Sequence, residues 1–549
     1  MPGYALVLSL LVTAPLLAPG YLLLRDAVST PRSYLSDSAL GLSEAAPRAL
    51  PQDFAMALAS HVVDGGVVVK ALLIAGLWLA GWGAARLTAV VLPDAGRSGQ
   101  FVAVTLAIWN PYVAERLLQG HWSLLVGYGC LPWVATAVLR LRGGDGAWWP
   151  LVFWTAFAGL TPTGLLLAAV VALTCCLAPG AGRSRVVCAA VSLGAATLVA
   201  LPWLVASTVA GSLSSSQAAG VSAFAARAEP GLGTFFSLAG LGGIWNGQAV
   251  PGSRTTLFAV VATAALLAVV AVGLPSLLRR PAAVPLLVLA AAAVVVPALM
   301  ATGPGLSFVE ATVRTMPGLG VVRDAQKWVA LAVPGYAVAG AGAVVTLRHR
   351  LPAAAAAVAC CLALLAVLPD LAWGVGGKVV AVRYPPSWAA AAALINADPR
   401  PVAVLPPDSM REFGWAGTAP VLDPLPRWVS ADVLATGDLL IGGRTVAGEG
   451  ERAREAQRLL TSGAGADELA RAGIGWVVVE SGSAPLALPV AYRGDDLVLY
   501  RVGGEQPAAA HRGVLIAAHL IWLSALVVGA IGMAVDAFGH RRRTRTDAA

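Results

Sequence analysis

Charge is what this chain lacks. Only 12% of its 549 residues are Asp, Glu, Lys or Arg, against about one quarter in an average soluble domain, and its mean hydropathy is +0.76. So few charges cannot clothe a water-soluble body of this length, so a soluble enzyme is excluded and a polytopic membrane protein is expected. Cysteine is scarce as well. The six present (Cys130, Cys175, Cys176, Cys188, Cys360 and Cys361) lie in apolar segments without metal-ligand spacing, which excludes a disulfide framework or a zinc centre. The net charge of +8 comes from basic residues in short connections between apolar runs, not from a basic stripe with interleaved aromatics, so nucleic acid is not an expected partner. No basic n-region or small-residue cleavage site marks the N-terminus, and Tyr4–Leu24 reads as a retained span.

What is present is apolar sequence of membrane length. A hydrocarbon core of about 30 Å takes roughly 20 residues per helical crossing. On that scale twelve spans are expected, near 4–24, 67–92, 99–117, 121–140, 147–160, 163–180, 186–208, 256–279, 281–303, 328–347, 351–373 and 513–536. LTPTG at 160–164 is either a turn between two short spans or a kink in one. With a cytoplasmic N-terminus, Arg97, Arg140 and Arg142, Arg183 and Arg185, Arg279 and Arg280, Arg348 and Arg350, and Arg541 to Arg543 with Arg545 all fall on one side. That is the positive-inside pattern, and it puts both termini in the cytoplasm of a multi-pass plasma-membrane protein.

The opposite face then takes everything long: the loops 25–66, 210–254 and 302–327, and the segment 374–512. Loops longer than about 12–15 residues are uncommon unless functional, so the protein is expected to work on that face. In the first loop, Pro31, Pro47 and Pro51 preclude one long helix. Pro51 followed by Gln52–Val63 predicts a helix with an N1 proline lying on the membrane surface. The second loop opens on the Ser-rich SLSSS and closes on LGGIWN, where Trp245 and Asn246 follow two glycines; this is either a tight aromatic platform for a sugar or lipid, or a plain turn.

The segment 374–512 carries 13 Lys/Arg and 15 Asp/Glu. Its β-like runs at Val402–Leu405, Trp476–Val479 and Leu497–Val502 alternate with helical periodicity at Trp388–Ile395, Glu451–Leu460 and Asp467–Ala472. A small extracytoplasmic α/β domain inserted before the last helix is expected. It holds no nucleotide-binding, nucleophile-elbow, zinc-protease or C-x-x-C motif, so binding or lid work is expected of it. The domain plan is therefore a multi-span body over 1–373, the α/β domain over 374–512, a final helix over 513–536 and a basic cytoplasmic tail over 537–549.

The candidate site residues sit where spans meet that face. NPYVAERLLQGHWSLLVGYGCLPW, residues 110–133, places Glu115, Arg116, His121 and Trp122 between two apolar segments. Ionisable residues near a span are costly and usually mark a site or pathway, although a helix end reaching water accounts for the same charges. Asp26 directly follows the first span and is either a site acid or an interfacial charge paired with Arg25. Arg323 and Lys327 are four apart, which on a helix aims both cations at one anion, or else lets them snorkel to headgroups. The spans lack the several acids and histidines of a metal transporter, and no matched pair of interrupted helices suggests a proton-driven porter. Chemistry on a lipid-borne substrate needs a base, cations or a metal for a departing phosphate, and aromatics for sugar faces. Asp26, Glu115, Arg323, Lys327 and Trp122 supply those types.

Several stretches carry a family resemblance: GYLLLRDAV leading into PRALPQDFAMAL, WNPYVAERLLQGHWSLLVGYGCLPW, LGGIWN, GVVRDAQKW and, in the outer segment, LPPDSMREFGWAGTAPVLDPLPRW. Together they resemble the GT-C class of integral-membrane, polyprenyl-phosphate-dependent glycosyltransferases, and within it the actinobacterial membrane proteins related to the AftD-type arabinofuranosyltransferase. The resemblance implies an α-helical polytopic GT-C-like body of about twelve helices. It also implies transfer of a sugar such as arabinofuranose or mannose from a polyprenyl-phosphate donor to a cell-envelope glycan or glycolipid on the outer face, in cell-wall biogenesis. In the class a catalytic acid follows the first span, and the matching position here is Asp26. The class commonly pairs two acids there, whereas Arg25 and Ala27 flank Asp26. On this reading Asp26 is the acceptor base and Glu115 its partner. Either or both would ligate a divalent cation (Mg, Mn or Ca), if one is used. Arg116, Arg323 and Lys327 hold the phosphate, His121 and Trp122 shape the site, and Trp245 and Asn246 contact substrate. The alternative is a catalytically inactive GT-C-like scaffold or lipid-linked glycan carrier for envelope assembly.

Overall fold

The computed structural model describes residues 1–44, 49–209, 220–316, 319–441, 444–448, 450–480, 485–505 and 509–546. Pro47 and the SLSSS stretch lie outside these residues. Among the described residues, seven helices are long and apolar enough to cross a membrane: Gly65–Val91, Trp122–Gly143, Arg185–Val209, Phe258–Leu278, Pro281–Met300, Ala325–Leu347 and Arg512–Phe538. Ala353–Ala366 and Pro369–Gly377, bent by 70°, make an eighth if they form one broken span.

The remaining expected spans are shorter helices, for local reasons. The first apolar run is helical only over Pro2–Thr13 with a 3-10 turn at Ala14–Leu17. It then becomes the strand Tyr21–Leu24, because its backbone pairs with Ala381–Val382 on one side and Ala27–Val28 on the other. The run 99–117 breaks at Asn110, whose side chain accepts the Val113 amide while Pro111 occupies the first helical turn. This starts a separate short helix, Pro111–Leu118. At LTPTG, Thr161 caps Pro162–Cys176 in the same way, so a turn and not a kink separates it from Trp148–Ala158.

Two corrections concern the loops. Pro51 stands at the N-cap of Gln52–Ala59, not inside it, and the helix stops short of Val63. Segment 302–327 is not a bare loop, since Thr302 caps a helix over Gly303–Thr315.

Small residues let the helices close on each other. A side chain on Gly129 would stand 2.2 Å from the Gly76 carbonyl oxygen, and one on Gly273 would overlap the Ala339 carbonyl. Such contacts hold helices together where lipid offers no hydrophobic contrast. Two helices are the most enclosed: Trp122–Gly143 is 89% buried over its apolar stretch and Ala325–Leu347 83%, against 28–50% for the other five. The N-terminal ends of these two helices carry the site.

Toward the C-terminus a five-stranded sheet forms, in the order Val490–Arg493, Leu497–Arg501, Trp476–Glu480, Val402–Leu405, Val433–Leu434. The first two pairings are antiparallel and the last two parallel. Alternation divides the central strands between two cores. Val402, Val404, Trp476 and Val478 pack with Trp388 of helix Pro386–Ala397, while Ala403, Val477 and Val479 pack with Leu460 of helix Glu451–Thr461. The hairpin of Met410–Arg411 and Val421–Leu422 reaches from this part to the first strand. There the Arg25 amide donates to Pro420 O at 2.9 Å and the Leu422 amide to Arg25 O at 2.8 Å.

Candidate functional site

Arg25 sits in the left-handed region, with φ +49°, because the strand must turn sharply between Leu24 and Ala27. Its guanidinium fixes the turn, donating to Leu118 O at 2.6 Å and Gln248 O at 2.9 Å. Arg25 is therefore spent on backbone carbonyls, and the Asp26 side chain is left to other partners. His121 Nε2 lies 2.9 Å and Gln119 Nε2 3.0 Å from the same oxygen, Asp26 Oδ2, and 41% of the Asp26 side chain stays exposed. Gln119 is oriented in turn by Asn246 Nδ2, which donates to its Oε1 at 2.8 Å. Burial alone raises a carboxyl pKa, but the hydrogen bonds from His121 and Gln119 and the charge of Lys327 outweigh it and hold Asp26 below its ordinary value.

Behind His121 stands Arg116, fully buried, with Nη1 3.1 Å from His121 Nδ1. It forks onto Asp324, with Nη1 to Oδ2 at 2.7 Å and Nη2 to Oδ1 at 3.1 Å, and also donates to Gln326 Oε1. Burial opposes ionisation of Asp324, yet Arg116 and Lys327 depress its pKa to about 2. Lys327 Nζ is 4.0 Å from Asp324 Oδ2 and 22% of its side chain is exposed. Arg323 lies with its guanidinium 4.7 Å from the centre of the Phe224 ring, and Phe224 packs edge-on against Trp245 with ring centres 4.7 Å apart.

Glu115 takes a different place from the one expected. It is fully buried, accepting the Gly243 and Ile244 amides at 3.1 Å each and Gln326 Nε2 at 3.0 Å. The LGGIWN stretch is thus neither a plain turn nor only an aromatic platform: its backbone cradles Glu115. Gly243 has φ +88° and a side chain on Gly242 would strike Glu229 at 2.6 Å, so both glycines are needed there.

Of the residues expected to converge, Asp26, His121, Lys327, Asn246, Arg323 and Trp245 belong to one connected neighbourhood. Glu115 and Arg116 form its buried support, with no contact to Asp26 from either, so the expected carboxylate partnership and the phosphate role of Arg116 are not what the geometry offers. Trp122 is 3% exposed and packs in the core. Arg323 and Lys327 are not helical neighbours. The 3-10 turn Ala325–Ala332 begins after Arg323, and Asp324 stands between the two cations.

The arrangement also does not fit the divalent cation considered above. Asp26 Oδ2 accepts two N–H donors and faces Lys327, while both Glu115 oxygens are occupied by N–H groups. Among the described residues no cluster of three His, Cys, Asp or Glu is placed to hold a metal. Gln119 and Gln326 carry no signal in the sequence, and Asp324 stands there beside Arg323 and Lys327 without a role. The available signal was a lone acid between two cations in GVVRDAQKW.

Fold and site together define a helical membrane protein with a polar cluster at the ends of its two most buried helices and a mixed sheet beside it. No family model and no curated protein matches this chain. A solved structure of the arabinofuranosyltransferase AftD from mycobacteria does match, with a TM-score of 0.54 at 17% identity, covering 92% of this chain. The match covers 41% of the AftD chain, so this protein spans about two-fifths of its length. The likeness establishes that this chain shares the fold of that part of AftD.

Proposed function

We propose that this chain is a membrane glycosyltransferase that takes a sugar from a polyprenyl-phosphate donor and passes it to a hydroxyl of a cell-envelope glycan or glycolipid. It works on the outer face of the plasma membrane, with both termini in the cytoplasm and segment 374–512 as an outer domain that receives the acceptor. The supporting observation is Asp26: an accessible carboxylate, fixed by His121 and Gln119 and adjoined by the cation Lys327, in a body folded like AftD. Asp26 takes the proton of the acceptor hydroxyl as its oxygen bonds to the anomeric carbon. The bond from that carbon to the phosphate oxygen breaks and its electron pair leaves on the phosphate. Lys327 and Arg323 balance the charge that develops there, and Trp245 with Asn246 borders the sugar.

A positioned general base contributes roughly 10²–10⁴-fold. Asp26→Ala is therefore expected to lower sugar transfer from a polyprenyl-phosphate donor in membranes by at least about a hundredfold, and unchanged turnover would sink the assignment. One observation favours the scaffold or glycan-carrier reading: Glu115 is withdrawn from the site, which leaves Asp26 without a second acid. The same assay separates the two, because a scaffold transfers no sugar with or without Asp26.

A further inference from the structure

We propose that Asp324 is a positioning residue for Asp26, acting through Arg116 and His121; this rests on reading Asp26 as the base. The four side chains form one line. Asp324 holds Arg116 by two hydrogen bonds at 2.7 and 3.1 Å, Arg116 meets His121 Nδ1 at 3.1 Å, and His121 Nε2 meets Asp26 Oδ2 at 2.9 Å.

Its direction follows from donor chemistry. A guanidinium has N–H groups only and accepts nothing, so the ring nitrogen it faces must be an acceptor. His121 Nδ1 therefore carries no proton, and the ring proton is on Nε2, aimed at Asp26. The ring is a fixed donor, unable to take up the acceptor's proton at Nε2 while Arg116 stays in place. That keeps Asp26 as the acceptor of protons and engages its Oδ2. Among the described residues no side chain or amide donates to Oδ1, which is the oxygen turned to the acceptor hydroxyl.

Arg116 could not hold this post alone. It is fully buried, and a buried cation without a counter-ion is strongly disfavoured. Gln326 contributes only a neutral acceptor to it. Asp324, with 6% of its side chain exposed, supplies the charge and the fork geometry that a planar guanidinium requires. The other charged groups around it are accounted for: Lys327 is 4.0 Å from the same Asp324 oxygen, Arg323 lies over Phe224, and Glu115 is separated from Arg116 by Gln326, which bonds both. A bland ion pair would have no need of the third contact to His121.

The test is a double-mutant cycle on the full-length protein in membranes, with transfer from a polyprenyl-phosphate donor as the readout. Asp324→Asn and His121→Phe are each expected to lower kcat about a hundredfold without raising the donor KM. The double variant should be no slower than His121→Phe alone, because both act along one line. His121→Gln, which retains an N–H for Asp26, should recover to within about tenfold of the wild type. Should Asp324→Asn fail to accumulate, Asp324→Asn combined with Arg116→Gln leaves no unpaired buried charge and carries the same expectation. Multiplicative losses in the double variant, or a loss confined to KM, would overturn the inference. A wild type without transfer, or an Asp26→Asn variant that turns over normally, would instead remove the reading of the site on which it rests.

Discussion

A side-chain carbon on Gly120 would stand 2.3 Å from the Ala27 amide nitrogen and 2.3 Å from the Leu24 carbonyl oxygen. This contact is what presses the 119–121 turn onto the strand turn that bears Asp26. The backbone of Gly120 is also left-handed, with φ +84°. Gly120→Ala therefore meets a conformational cost of roughly 1–2 kcal/mol and a steric clash with backbone that has nowhere to move. Lower apparent thermal stability in detergent and loss of sugar transfer by more than about tenfold are expected. A variant with wild-type stability and turnover would show that the two turns are not locked together.

Glu115→Gln tests the cradle. The wild-type carboxylate accepts three N–H groups, and a glutamine amide would turn its own N–H₂ toward at least one of them. A buried donor left facing a donor costs about 1–3 kcal/mol. The apparent melting temperature of the purified protein should fall, while a residual folded fraction keeps its donor KM. If the variant melts like the wild type but loses turnover, Glu115 has a chemical role that its hydrogen bonds do not reveal.

Lys327→Met removes a partly exposed cation whose charge acts on Asp26 and leaves the Arg116–Asp324 fork intact. If Lys327 meets the donor phosphate, KM for the donor should rise by about tenfold or more, in the range of a lost charge-assisted hydrogen bond. The effect should grow weaker at high salt, since the group is partly open to solvent. An unchanged KM would move the phosphate away from this lysine.

The sheet part carries its own titration. Arg411 Nε donates to Glu480 Oε2 at 2.8 Å and Nη2 lies 3.6 Å from Asp423 Oδ2, so one guanidinium serves two buried carboxyl groups. Burial pushes both pKa values up, Glu480 well above its usual range, with the Asp423 charge as the second cause for Glu480. A carboxyl whose folded pKa is raised adds stability that is full below its unfolded value of about 4.3 and is lost as pH rises through the folded value. Thermal stability of this part should therefore decline as pH rises above the ordinary carboxyl range. Glu480→Gln, which mimics the protonated form, should flatten that slope, as circular dichroism melts across the pH series would register.

Much of the architecture is legible in the sequence. Apolar length marks the helices long enough to cross a membrane, and the β-like runs Val402–Leu405, Trp476–Val479 and Leu497–Val502 fall on the strands Val402–Leu405, Trp476–Glu480 and Leu497–Arg501, because burial on one face or all round leaves a period in the sequence. The first apolar run departs from the expected span after Thr13 for a physical reason. Tyr21–Leu24 is as apolar as a helix, and only its pairing with Ala381–Val382, some 360 residues later, makes it a strand. No local preference encodes a partner so far away.

The site divides along the same line. Residue types alone show which chemistry is at hand: one acid after the first run, a charged insert at 110–133, a Gly-Gly pair beside Trp245 and two cations in GVVRDAQKW. The sequence also limits the places for that chemistry to the ends of apolar segments, since ionisable groups are too costly elsewhere in a bilayer. The partners are set by packing across the whole chain. Glu115 pairs with backbone amides 128 and 129 residues away, and Arg116 with Asp324, 208 residues away. Hydrogen bonds form wherever packing brings a donor to an acceptor, and packing is a property of the whole chain. That is why the acid at Asp26 is visible in the sequence, while the line of His121, Arg116 and Asp324 behind it emerges only where distant segments of the chain meet.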